Sequence, residues 1–343
     1  MSIGIACIAF IIGYFIAHQT RHTYTTIEPS KAIVRTNGIS NLPYINPLTE
    51  CIREKGIRME ELKSFKDKID EYVTNYCLKH KGVKVSYYFR DLNNGMFIGL
   101  NEKELFSPAS LMKVPTMIAV LKEAQSKPEI LNQQVQYNQK DYMQVDEDAG
   151  YQKEDGRYYS IDELLQQSIA YSDNAATLML MNFIGMAKVV KVEDDMNLHV
   201  ASDYTNQTNF VSVKNYAGVF RILYNGAYLN EIMSEKALEI LLSSKYNGGL
   251  RSGIPNDIRI AHKYGERDIM YESGKRITQQ LHHFGIVYHP LKPYILGVMT
   301  RGDNSKEEKD KIIADLSKIT YEEIDNQMKT LHQERNVKFY QNM

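Results

Sequence analysis

Between Glu60 and His80, apolar side chains recur at helical spacing (Leu62, Phe65, Ile69, Tyr72, Val73, Tyr76, Cys77), which predicts a helix with one buried stripe. From Val83 the period changes to two. Val83, Val85, Tyr87 and Phe89 alternate with Lys84, Ser86, Tyr88 and Arg90, the pattern of a strand with one buried face. Asp91–Gly95 reads as a turn and Met96–Leu100 as the returning strand. A strongly apolar helix follows over about Ser110–Gln125, and residues 126–225 are mostly helical in pattern, with polar loops. Strand patterns return at Ile258–Tyr264, Phe284–His289 and Tyr294–Thr300. Lys306–Leu331 closes the pattern as a charged amphipathic helix. Two hairpin-like strand groups around a helical middle, with helices at both ends, predict an α/β (α+β) architecture. In it an antiparallel sheet is covered by N- and C-terminal helices, and an all-helical lobe spans about 126–225.

The amino terminus has a different character. Ile3–Ala17 is apolar apart from Tyr14 and two glycines, and the polar stretch His18-Gln-Thr-Arg-His22 follows. Its length lies between a signal h-region and the roughly 20 residues of a bilayer span. No Lys or Arg precedes it and no clear A-x-A site follows. Because it is terminal and a Thr-, Ser-, Asn-, Gly- and Pro-bearing stretch continues to about Pro47, residues 1–20 are expected to be a membrane anchor or signal-like segment. Residues 21–57 then form a linker and 58–335 the folded body, held outside the cytoplasm at the cell envelope. A buried core helix is the alternative. In an exported body Cys51 and Cys77 could pair.

Composition narrows the function. With 43% hydrophobic residues, 24% charged residues and a net charge of −1, the chain is globular rather than disordered, and nothing draws it to nucleic acid. Cys7, Cys51 and Cys77 form no disulfide framework and lack C-x-x-C spacing, so no structural zinc is expected. Asp141, Asp146 and Asp148 near Gly150 lack the spacing of a calcium loop. No cofactor is expected, and the body is expected to act as a monomer.

Three short motifs carry candidate chemistry. In Ser110-Leu-Met-Lys113, serine opens a helix after the turn Ser107-Pro-Ala109, and the i, i+3 spacing puts Ser110 and Lys113 on one face. Free N–H groups at that helix start and a lysine whose proton affinity is depressed by apolar neighbours would suit nucleophilic catalysis; an N-cap with a solvated lysine is the plain alternative. Ser172-Asp173-Asn174 falls at a break between two helical patterns, where it either faces a cleft or merely caps Ala175–Met181. Lys263-Tyr264-Gly265 ends an apparent strand, where glycine would let a substrate approach the backbone.

In combination, their order and spacing resemble the penicillin-recognising serine enzymes, which carry Ser-x-x-Lys, Ser-x-Asn and Lys-Thr/Ser-Gly. The surroundings resemble class A β-lactamases: Phe106-Ser-Pro-Ala-Ser-Leu-Met-Lys-Val-Pro115, Glu163-Leu-Leu-Gln-Gln-Ser-Ile-Ala-Tyr-Ser-Asp-Asn-Ala175 and Ile295-Leu-Gly-Val-Met299, within about residues 60–331. The resemblance implies Ser110 as nucleophile, Lys113 as its activator, Ser172 as proton donor to the leaving nitrogen and Lys263 as the charge beside it. Asn174 would hold the substrate's amide side chain. The backbone N–H groups of Ser110 and of Glu266, the residue after Gly265, would hold the oxyanion. The implied partner is a β-lactam or a peptidoglycan-derived peptide.

Two departures matter. The family carries a deacylating Glu roughly 35 residues past its Ser-Asp-Asn serine, whereas no Glu lies between Glu193 and Glu231 here and the interval to Lys263 is short; Asp203 is the nearest carboxylate. Tyr264 replaces the hydroxyl residue that helps bind a substrate carboxylate, leaving Arg267 or Arg276 as candidate clamps. Glu266–Gln280 looks long for a strand connection and is expected to border the cleft. His282-His283 reads as a strand-edge pair. The expectation is an acylating enzyme with slow deacylation, close to a D,D-peptidase. A genuine β-lactamase and a catalytically silent scaffold are the rivals.

Overall fold

A computed structural model describes residues 59–142, 152–198, 210–270 and 276–341. The expected anchor, the linker and Cys51 lie outside the described residues. Helix α1 (Met59–Lys79) leads into β1 (Lys84–Asp91) and β2 (Phe97–Leu100). After the middle of the chain come β7 (Ile260–Met270), β8 (Arg276–Val287) and β9 (Tyr294–Gly302). These five strands form one antiparallel sheet in the order β2-β1-β9-β8-β7. The closing helix α8 (Lys306–Gln341) continues past Leu331.

Between the strand groups lie β3 (Leu105–Phe106), α2 (Lys113–Ala124), β4 (Gln134–Gln136), β5 (Tyr158–Ser160), α3 (Ile161–Ala170), α4 (Asn174–Ile184), α5 (Met186–Asp195), β6 (Val211–Ser212), α6 (Val213–Tyr224) and α7 (Glu231–Leu242). The helical lobe thus reaches Leu242 and includes two short ribbons, β3–β6 and β4–β5. Helix α2 is apolar almost all round, so it sits in the centre with only Lys122 and Glu123 outside the core. Ser160 opens α3 with a capping box to Glu163.

The sheet separates two cores. Val85, Tyr87 and Phe89 of β1 pack with Phe65, Ile69 and Val73 of α1 and Ile312, Ile313 and Leu316 of α8. Tyr88, Ala261, Phe284, Ile295 and Met299 pack on the other face, against the lobe. Strand β1 is therefore buried on both faces, with Ser86 and Tyr88 also closed to water. The period-two pattern expected one solvated face, but the lobe covers it.

Two sequence expectations are corrected in the same region. Glu266–Gln280 is no loose connection, because β7 and β8 stay paired from Ile260↔Val287 to Ile269↔Thr278. Glu266, Arg267 and Asp268 obscure the alternation, yet charges are tolerated because β7 is an edge strand. His282 and His283 are not at an edge: β8 lies between β7 and β9, and both rings are fully buried. Among the described residues, no single helix is long and apolar enough to cross a membrane.

Candidate active site

The turn that carries Ser110 is anchored on all sides. Ala109–Met112 is one 3-10 turn, and the α-helix proper starts only at Lys113. Ala109 takes φ +50°, a left-handed conformation that L residues seldom adopt. The Ser107 N–H donates to Gln280 Oε1 (3.0 Å), His282 Nε2 donates to the Ser107 carbonyl (2.9 Å) and Arg267 Nη1 donates to Ser107 Oγ (3.0 Å). Burial holds His282 down at about 3, so the ring is neutral with its hydrogen on Nε2. From α6, Tyr216 Oη donates to the Leu111 carbonyl (2.6 Å). A Cβ at Gly265 would stand 2.7 Å from the Pro108 carbonyl oxygen and 3.1 Å from Leu111 N. This glycine, expected to admit a substrate, lets the chain's own turn lie directly on β7.

Five motif side chains converge beneath that turn. Lys113 Nζ lies 2.8 Å from Ser110 Oγ, 2.8 Å from the Ser172 carbonyl, 3.2 Å from Ser172 Oγ and 2.5 Å from Asn174 Oδ1. Lys263 Nζ reaches the same hydroxyl, 2.9 Å from Ser172 Oγ, and also the Tyr264 carbonyl at 2.9 Å. The break between α3 and α4 makes this possible: Ser172 at φ +59° turns its side chain and its carbonyl to the lysines. Asp173 Oδ1 then caps α4 by accepting from the Ala176 N–H (2.9 Å).

Electrostatics set the protonation. Burial lowers Lys113 to about 8, against a smaller upward pull from Asp173. Lys263, wholly buried, is pushed well below its ordinary value by desolvation and then by Lys113. Asp173 is itself in contact with Lys153 in a buried ion pair. Neither Lys153 nor the clamping Gln280 and Tyr216 was singled out from sequence. Gln152-Lys-Glu-Asp-Gly156 has the look of a solvated loop, and only three-dimensional packing buries its lysine.

Where a small hydroxyl residue was the family expectation, the Tyr264 ring stacks on Tyr246 (centroids 3.9 Å apart) and lies against Lys263 Nζ at 4.4 Å. Glu266, which supplies a candidate oxyanion N–H, turns its carboxylate to Lys306 (2.5 Å). Arg267 is engaged with Ser107, while the Arg276 side chain and Asp203 lie outside the described residues, as do Asp146 and Asp148. Asp141 is exposed, and among the described residues no cluster of His, Cys, Asp and Glu could hold a metal ion.

The family model described as the beta-lactamase enzyme family matches residues 64–324. Similar solved structures include PBP-A, with a TM-score of 0.65, 19% identity, and 83% of this chain and 99% of that one covered. A PBP-A variant, solved as an acyl-enzyme complex with penicillin G, has a TM-score of 0.65 and 19% identity over 77% of this chain and 97% of its own. A variant of the class A β-lactamase of the last common ancestor of Gram-negative bacteria matches with a TM-score of 0.63 and 21% identity, covering 77% of this chain and 99% of that one. Likeness at such identities establishes the shared fold.

Proposed function

Because the chain belongs to the β-lactamase enzyme family, we propose that it is an active-site-serine hydrolase that forms an acyl-enzyme at Ser110 with a β-lactam or a D-alanyl-type cell-wall peptide. The observation that carries this reading is the position of Lys113 Nζ, within hydrogen-bond reach of both Ser110 Oγ and Ser172 Oγ. In its neutral form Lys113 takes the Ser110 proton as Oγ bonds to the carbonyl carbon. The N–H groups of Ser110 and Glu266 hold the resulting oxyanion; losing one such donor typically costs about 3–4 kcal/mol. As the carbon–nitrogen bond breaks, the proton passes from Lys113 through Ser172 Oγ to the leaving nitrogen.

Charge counting supports a neutral lysine. Two buried ammonium groups would face one hydroxyl, and the neighbouring carboxylate, Asp173, is already paired with Lys153. Lys263 biases the Ser172 proton, and Asn174 holds the amide side chain of the substrate. Tyr264, packed on Tyr246, offers an aromatic wall where the family has a small hydroxyl, so recognition of the substrate's acidic end differs from the family pattern. With no Glu between Glu193 and Glu231, water activation is poor and the acyl-enzyme persists; absent general-base help typically costs about 10²–10⁴-fold. The similar PBP-A structure, whose variant is an acyl-enzyme complex with penicillin G, is consistent with such a life cycle. We place the body at the cell envelope, on the strength of the apolar run Ile3–Ala17.

Intact mass after incubation with penicillin, followed over time, tests the proposal. A lasting adduct that disappears in Ser110→Ala is expected. Steady nitrocefin turnover would make the protein a β-lactamase instead, and no adduct with any β-lactam or fluorophosphonate would leave it a binding scaffold.

A further inference from the structure

A carboxylate lies between two residues of the site. Asp173 follows Ser172 and precedes Asn174, and its charge is the one that pulls upward on Lys113. A lysine that owns a carboxylate counter-ion stays protonated and cannot accept a proton. Asp173 does not serve Lys113 in that way. Its Oδ1 caps α4, and its Oδ2 is held by Lys153 Nζ. The Lys153 and Asp173 side chains are only 2% and 6% exposed. Lys153 arrives from the segment that leads into β5, with its ammonium 5.7 Å from the centre of the Tyr159 ring. Among the described residues, the cluster therefore holds three lysines with buried side chains (113, 153 and 263) beside this one carboxylate.

We propose that Lys153 is a positioning residue for the reaction: by taking Asp173 as its own partner, it denies Lys113 a counter-ion and so leaves Lys113 free to act as the base. The inference rests on the role given to Lys113 above. Among the described residues, the groups that face Lys113 are few. Lys263 of β7 repels it, and Asp173 at the start of α4 attracts it. Ser110, Ser172 and Asn174 are uncharged, as is the Tyr216 phenol that α6 brings to Leu111. Removing Lys153 takes one positive charge from this set and exposes Lys113 to the whole charge of Asp173. Lys113 then holds its proton to higher pH.

The test is a pH titration of Lys113 by NMR of 13Cε-labelled lysine, assigned with Lys113→Arg, beside the pH profile of acylation by penicillin. Lys153→Met should move both midpoints up by about one pH unit, roughly a tenfold slower acylation at pH 7. Lys153→Arg should restore them. Asp173→Asn, which keeps the helix cap, should move them down. The double variant Lys153→Met/Asp173→Asn should return them close to the starting value. Slower acylation with unmoved midpoints, or no recovery in the double variant, would overturn the proposal and leave the ion pair purely structural. If Lys153→Met does not fold, Lys153→Gln removes the same charge and is read in the same way. If the wild-type protein forms no adduct at all, the acyl-enzyme reading fails, while the NMR titration still reports on Lys153.

Discussion

A lysine held at about 8 is neutral in roughly a tenth of the molecules at pH 7 and in most of them at pH 9. Under the proposed mechanism the neutral form is the active one, so acylation of Ser110 should quicken with rising pH through a midpoint near 8 and then level off. Stopped-flow acylation between pH 6 and 10 measures this. Lys113→Met should slow acylation by about 10²–10⁴-fold and abolish that midpoint. The residues to which we assign the chemistry were legible in the sequence because such chemistry dictates both their type and their spacing: Ser110 with Lys113 on one turn, Ser172 with Asn174 at a helix break. Their supports were not legible. Gln280 and His282 reach Ser107 from a strand some 175 positions away, and no local pattern announces that a Gln or a His will be buried and hydrogen-bonded. The same blindness made His282-His283 look like an edge pair.

At the scale of elements, the site depends on how closely the Ser110 turn lies on β7. The Pro108 carbonyl occupies the space a Cβ at Gly265 would need, so Gly265→Ala has to push the turn and the strand apart. We expect a loss of about 1–3 kcal/mol in stability, measured by urea unfolding. A fall of about 10²-fold or more in acylation should accompany it, as the two N–H groups proposed to hold the oxyanion separate. Normal acylation in a Gly265→Ala protein would show that the contact is slack. Element types were readable from period and length. The faces were less so: β1 reads as half solvated, but the lobe packs on Tyr88 and Ser86 is closed off with its hydroxyl on the Asn101 carbonyl. The β7–β8 hairpin was hidden by charges that an edge strand can carry.

For the molecule as a whole, the interior of the sheet is sensitive to acid. His262, His282 and His283 are all buried. Leu250 N–H donates to His283 Nδ1 (3.1 Å), which leaves the hydrogen of the neutral ring on Nε2, donated to His262 Nδ1 (2.8 Å). Burial lowers His262 and His282 from 6.5 to about 3 and also holds His283 well below its ordinary value. The unfolded chain therefore binds more protons than the folded one below pH 6.5. Stability should be full above that value and decline as pH falls from 6.5 towards 3. Calorimetry should show a level Tm between pH 8 and 6.5 and a falling one from 6.5 to 4; no fall below 6.5 would contradict this. The strand order has a further consequence for synthesis. β1 pairs with β9, so that Lys84 meets Arg301, and such distant pairing is slow to form. A ribosome has to deliver nearly all of the body before β9, the central strand, can join β1 to the rest of the sheet. Until then the nucleophile's turn has no finished floor, so the growing polypeptide should carry no penicillin-reactive serine.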